Sequence, residues 1–318
     1  MHLTHSVAYE LRPEAPFDFR LTVRKPAGWS LFTPYELYRE ATLWTATHLH
    51  GQLAGIKLAS LGSTARPRIA VRIFLSQRPT RARAEGLKQQ LNGALGAEES
   101  LEEFYAMARR DNVLVHAIRH LRGMHDTSPC TLFSEACLAI LLQMAPLDRS
   151  NAMMAAFITR YGPIAAFEGK KIRAWPTPER IASLRASDLA KSCNVGYRAK
   201  YLVALARRLA AGTFPSMEQL RALPPDEARR TLVELPGIGD YSADIINPHG
   251  GFPIDAWSVE VFSKLFYGKT PAHNRDSIEK VKRAGMRRWG RWAWMAFFYV
   301  VQDLPKLSES LGVDLRLR

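Results

Sequence analysis

Two kinds of apolar spacing divide this chain of 318 residues. Up to about residue 100, apolar and polar positions alternate over short runs. Phe17–Val23 does so loosely, and Leu43–Leu49, Gln52–Leu58 and Arg68–Phe74 follow the same pattern. A period of two buries one face of a strand. Gly51-Gln52 reads as a turn, and Gly62 and Pro67 punctuate the approach to Arg68–Phe74, the clearest strand. Arg81–Leu95 then changes to helical spacing. This order predicts a curved antiparallel sheet with one helix packed against it, over residues 1–100.

From Leu101 onward the spacing is helical, and no strand is predicted. Ser128-Pro129 offers an N-cap followed by a proline for the first helical position. Behind it Leu132, Phe133, Ala136, Cys137, Ile140, Leu141 and Met144 recur on one helix face, so spacing alone assigns Met144 to the core. Ser150–Tyr161 is a further helix, stopped by Gly162-Pro163. Trp175-Pro176-Thr177-Pro178 repeats the cap-and-proline device, and Asn194-Val195-Gly196 joins helices over Asp188–Ser192 and Tyr197–Ala211. Pro224-Pro225-Asp226 opens another helix, and one long final helix is predicted over Ser277–Gln302. The fold class is α+β, with an antiparallel sheet domain at 1–100 and a mostly α-helical domain at 101–318.

The segment Leu235–Phe266 interrupts this helical series in an informative way. Pro236-Gly237-Ile238-Gly239 is a tight turn with apolar helical runs on both sides. Its glycines leave backbone N–H groups open to close approach at the start of the next helix, where an anion is favoured. The segment Asn247-Pro248-His249-Gly250-Gly251 ends that helix early, and Asp255 stands before a new amphipathic run from Trp257 to Phe266. On its residues alone, Asp255 reads equally well as a helix N-cap and as a catalytic carboxylate.

Charge changes the picture. The formal net charge of +14 favours a polyanionic partner, although surface charge that serves only solubility accounts for it nearly as well. The three cysteines, Cys130, Cys137 and Cys193, form no CxxC pair, which argues against a disulfide framework, a zinc site and a four-cysteine iron–sulfur cluster. No transition-metal site is inferred from the histidines. The first residues contain no apolar signal core and no stretch approaches a membrane span, so an intracellular, cytoplasmic or nucleoid protein is expected.

The run Leu235-Pro236-Gly237-Ile238-Gly239-Asp240-Tyr241-Ser242-Ala243, followed by Phe252-Pro253-Ile254 and Asp255, resembles the helix-hairpin-helix (HhH-GPD) DNA glycosylase superfamily, in its alkylpurine and oxoguanine branches. The resemblance covers the helical part by motif and the first third by arrangement. It implies a monomer that binds double-stranded DNA containing a damaged base and flips that base out of the stack. Gly237, Ile238 and Gly239 would grip a phosphate, and Asp255 would be the catalytic carboxylate. Backbone carbonyls of Val233, Leu235 and Ile238 would hold a monovalent cation, K+ or Na+. Lyase members carry a lysine where this chain has Tyr241, and a phenol forms no imine. The interval from Tyr241 to Asp255 is about one helical turn shorter than in the better-known branches.

Further segments extend the resemblance. Gly196-Tyr197-Arg198-Ala199-Lys200-Tyr201 is similar to a loop of the oxoguanine branch in which the tyrosine wedges beside the orphaned base; the competing reading is an ordinary loop-to-helix junction with solvated Arg and Lys. Gln143-Met144 stands where the alkylpurine branch has a glutamine and an apolar plug. Tyr241, Trp257, Trp289 and Trp292 are candidates for a base pocket, although aromatic density at the C-terminal end places most such rings in the core. The expected activity is a monofunctional glycosylase for damaged purines, alkylated ones first. An 8-oxoguanine-type glycosylase and a non-catalytic helix-hairpin-helix DNA-binding protein are the alternatives.

Overall fold

A computed structural model of the chain describes residues 1–145 and 147–315. Five strands, β1 (His5–Leu11), β2 (Leu37–Arg39), β3 (Thr42–Leu49), β4 (Gln52–Ser60) and β5 (Ile69–Leu75), form an antiparallel sheet in the order β1-β5-β4-β3-β2. The register sets Leu43 opposite Leu58 and Ile56 opposite Ile73, so the alternating apolar residues share one face. That face buries Leu43, Ile56, Leu58, Val71 and Ile73 together with Leu87 and Leu91 of the helix Arg81–Ala94.

Three expectations from spacing are corrected. Phe17–Val23 is no strand: Asp18 accepts a hydrogen bond from the Leu21 amide at 2.9 Å and starts a short helix, Phe19–Val23. The expected cap at Ser128-Pro129 lies instead at Thr131, which accepts from the Ser134 amide at 3.1 Å. Cys130 sits in the left-handed region (φ 71°), so the helix Leu132–Leu142 cannot begin before it. The long final helix is broken: Arg275–Trp289 ends at Gly290, and Ala293–Gln302 starts afresh after a short 3-10 turn.

A fourth correction concerns topology. The region expected to be wholly helical contains a two-stranded antiparallel hairpin, β6 (Ile164–Phe167) and β7 (Lys170–Arg173). Phe167 packs against Phe74, with ring centroids 4.8 Å apart, among Leu3, Ala46, Leu53 and Ile172 on the second face of the sheet. Each strand is only four residues long, and tertiary contact rather than local periodicity makes it a strand.

The chain forms two compact units that cut across the sequential boundary at residue 100. The first comprises Met1–Ser100, Gly123–Met217 and Leu235–Gly237, and the second comprises Leu101–Arg122, Glu218–Glu234 and the chain from Ile238 onward. The second unit is helical around an aromatic core. Phe252 meets Phe262, Trp289 and Phe297 edge-on, with centroids 4.9, 5.6 and 5.9 Å away. Such edge-to-face pairs add to the area each ring buries. Among the described residues, no helix is long and apolar enough to cross a membrane.

Candidate active site

In the second unit, helices Pro225–Val233 and Asp240–Ile246 form the arms of the hairpin. Arg229 braces them. Its Nη2 lies 2.7 Å from an Asp240 oxygen and its Nε 2.8 Å from an Asp244 oxygen, and Lys282 of the helix Arg275–Trp289 pairs with the other oxygen of Asp244. The hydrogen bond from Arg229 is the leading cause that holds the Asp240 carboxyl below its ordinary pKa. The second arm ends at Asn247, as the cluster of Asn, Pro and Gly predicts.

Asp255 is held by the helix Ser258–Tyr267 that follows it. One carboxylate oxygen, Oδ1, accepts from the Trp257 amide at 3.0 Å, the Ser258 amide at 2.8 Å and the Ser258 hydroxyl at 2.8 Å. The Asp255 amide donates back to Ser258 Oγ at 2.8 Å. This is the reciprocal geometry of a capping box. The other oxygen, Oδ2, accepts no hydrogen bond from the described residues. A fixed carboxylate with one free oxygen can face a developing positive charge without reorganising.

Tyr241 lies close enough to feel that carboxylate. Burial first, and then the negative charge of Asp255, raise the Tyr241 phenol above its ordinary pKa, so it stays neutral. Trp257, whose amide holds Asp255, is 39% exposed. The structure thus brings together three of the expected residues, Asp255, Tyr241 and Trp257. Two others separate from them. Trp289, expected in a base pocket, is core: its ring packs among Phe252, Phe262 and Phe266, and its Nε1 donates to Asp111 at 2.9 Å. The Trp292 ring packs on Phe104, with centroids 5.8 Å apart, under the Arg291 guanidinium.

The first unit carries Gln143, Met144, Tyr197, Arg198 and Gly237, and these five form one group, whereas Val233, Ile238 and Gly239 belong to the second unit. Gln143 leaves the helix Leu132–Leu142 at its last turn, and its Nε2 donates to the Gly237 carbonyl at 2.7 Å. Gly237 has φ 81°, and a Cβ there would stand 2.7 Å from Cβ of Tyr201, so only glycine fits. Gly239 differs: with φ −100°, a Cβ there would meet nothing within 4 Å, so the fold itself makes no demand for glycine. Arg198, read as either a DNA contact or a solvated side chain, is 3% exposed and turned inward, donating to the Gln143 carbonyl. Met144 is not core. It is 75% exposed with φ 46°, and Tyr197 is 51% exposed. The expectation of a core methionine fails because the helix ends before it.

Among the described residues, the carbonyls of Val233, Leu235 and Ile238 accept no backbone hydrogen bond. Uncharged oxygens left without donors fit a monovalent cation better than a transition metal. Two residues escaped the sequence reading. Ser258 was legible as the partner of an Asp three positions earlier, the capping-box interval. Arg229 gave no signal, because its partners lie on the next helix.

The chain is similar to known proteins in sequence and in fold. Residues 137–291 match the model of the HhH-GPD superfamily base excision DNA repair protein. The DNA-3-methyladenine glycosylase of Bacillus subtilis (strain 168) is 26% identical over 208 residues, covering 64% of this chain and 67% of its own. In structure, the 3-methyladenine DNA-glycosylase from Archaeoglobus fulgidus aligns with a TM-score of 0.73 at 18% identity, over 96% of this chain and 99% of its own. The 8-oxoguanine glycosylase/lyase of Clostridium acetobutylicum, in its apo-form, aligns with a TM-score of 0.68 at 16% identity, over 94% and 99%. Hairpin, capping aspartate and matched segment agree: residues 137–291 are similar to the HhH-GPD superfamily of base excision DNA repair proteins.

Proposed function

We propose that the protein is a monofunctional DNA glycosylase that hydrolyses the N-glycosidic bond of damaged purines, alkylated ones first. One observation carries this reading: Asp255 is locked through Oδ1, keeps Oδ2 free of the described residues, and stands within electrostatic reach of a neutral phenol at the position where a lyase needs an amine. The glycosidic bond is out of reach inside the duplex stack, so the damaged nucleotide is flipped first. The Tyr241 and Trp257 rings offer stacking faces for the flipped base, and a positively charged purine gains most from such faces. The bond from C1′ to the base nitrogen breaks with its electron pair leaving on the base. Asp255 stabilises the cationic sugar and accepts a proton from the water that adds to C1′.

The turn at Gly237, Ile238 and Gly239 grips a phosphate of the strand, and the +14 charge supplies general attraction to the polyanion. A monovalent cation held by the carbonyls of Val233, Leu235 and Ile238 would add positive charge at that turn. The relatives named for 3-methyladenine support the choice of alkylated purines. A second reading, oxidised guanine, is favoured by Gly196-Tyr197-Arg198 and by the likeness to an 8-oxoguanine glycosylase/lyase. An alkylated base is already a good leaving group and asks for little beyond flipping, stacking and one carboxylate.

Base release from duplexes that each carry one defined lesion tests the proposal. Faster release of 3-methyladenine or 7-methylguanine than of 8-oxoguanine is expected. The opposite ranking would assign the protein to oxidised purines.

A further inference from the structure

Arg198 is an unusual charged side chain of the first unit. It is 3% exposed, yet the ionisable groups that act on it are Tyr197 and Arg149, not a carboxylate. Burying an unpaired cation is costly, so its retention calls for a reason. Its Nη2 donates to the backbone carbonyl of Gln143, its Nε has no partner, and its guanidinium carbon lies 4.7 Å from the centroid of the Tyr197 ring.

Those contacts converge on the two exposed apolar side chains of the group. Met144 directly follows the carbonyl that Arg198 holds, in a left-handed conformation that a non-glycine residue adopts only when its surroundings enforce it. Tyr197 rests its ring on the same guanidinium. Gln143 passes the restraint on, because its side-chain amide holds the Gly237 carbonyl at 2.7 Å. One planar cation therefore sets the pose of both Met144 and Tyr197. A lysine has no flat fork to satisfy a carbonyl and a ring face together.

We propose that Arg198 is a positioning residue that holds Met144 and Tyr197 in the pose in which they enter the duplex, and that it makes no phosphate contact of its own. The inference rests on the glycosylase reading above. It assigns Arg198 a role through its neighbours rather than on the DNA.

The test compares the parent with Arg198→Met and Arg198→Lys. Three readouts are taken: the salt dependence of binding to an undamaged duplex, the rise in 2-aminopurine fluorescence on binding a duplex with that base beside an abasic site, and single-turnover release of a methylated purine. Both variants should melt cooperatively, keep the parent's salt slope, lose most of the fluorescence rise, and release base about tenfold to a hundredfold more slowly. A slope reduced by about 0.9, the signature of one lost phosphate contact, would overturn the inference. So would a full rescue by lysine, which would make charge alone sufficient, or loss of cooperative melting in both variants, which would make Arg198 a core residue. A parent that unstacks 2-aminopurine but releases no base would fail the proposed function and leave this inference standing.

Discussion

Asp255 and Ser258 clasp each other in both directions: the Asp255 amide donates to Ser258 Oγ, and the Ser258 amide and hydroxyl both donate to Asp255 Oδ1, each at 2.8 Å. The clasp makes the helix start and the carboxylate's orientation one structure. Ser258→Ala should therefore cost about 1–2 kcal/mol of stability, since it removes one donor and leaves the half-buried Asp255 amide without its side-chain acceptor. Base release should fall by a larger factor than the population of folded protein does. Thermal melts and single-turnover rates on the same variant check this, and an unchanged rate would show that the serine does not position the carboxylate.

The hairpin glycines should behave oppositely. Gly237→Ala introduces a Cβ at positive φ against Tyr201 and should destabilise the protein by about 1 kcal/mol or more. Gly239→Asp places a preferred N-cap residue in open space, so stability should hold or rise. It also puts a negative charge where the phosphate approaches, and DNA affinity should drop. Tight binding by a stable Gly239→Asp protein would show that the turn is not the phosphate grip.

Tyr241 makes the third prediction. Borohydride should trap little or no covalent protein–DNA adduct, and abasic sites should remain intact after base release, because no amine occupies this position. Efficient trapping would point to another lysine, for which Lys264 and Lys200 are the variants to make.

Acid stability should report on Asp111. Burial alone would raise its pKa, but hydrogen bonds from Arg288, the Leu114 amide, Trp289 and the Val113 amide outweigh burial and hold it below the ordinary value. The carboxylate therefore contributes stability above its unfolded pKa, about 3.9, and that contribution is lost as pH falls through the lower folded value. Asp111→Ala, which takes from the Arg288 guanidinium its carboxylate partner and leaves it only the Asn112 side-chain oxygen, should cost about 3 kcal/mol at neutral pH and much less at the acid end. Denaturant midpoints across that pH range decide it, and a cost independent of pH would remove the ion pair from the account.

Much of this architecture was legible in the residues, for physical reasons that also explain the failures. The strands around Leu43–Leu49, Gln52–Leu58 and Arg68–Phe74 alternate because one face of the sheet packs on a helix, and periodicity sees such a face directly. Phe17–Val23 misled because a side-chain cap at Asp18 overrides loose alternation. β6 and β7 were invisible because their strand state comes from Phe167 meeting Phe74, far away in sequence. At the site, Asp255 could be read as cap and catalyst together, since one residue type serves both. Met144 fell on the apolar stripe of its helix, but the helix stops at Leu142, and only coordinates reveal that. Arg198 looked outward by composition and points inward by structure, drawn by a carbonyl that no local pattern announces.

The central claim is that Asp255 performs the chemistry, and Asp255→Asn tests it most directly. Asparagine is an equally good N-cap, so the variant should fold with nearly the parent's stability and bind lesion-containing duplex about as well. It lacks the negative charge that stabilises the sugar and the base that takes the proton from water, so single-turnover release of a methylated purine should fall by about 10²–10⁴-fold. Near-parental release by the folded variant would contradict the account. Absence of release by the parent itself, with DNA binding intact, would make this a helix-hairpin-helix protein that binds DNA and cuts no bond.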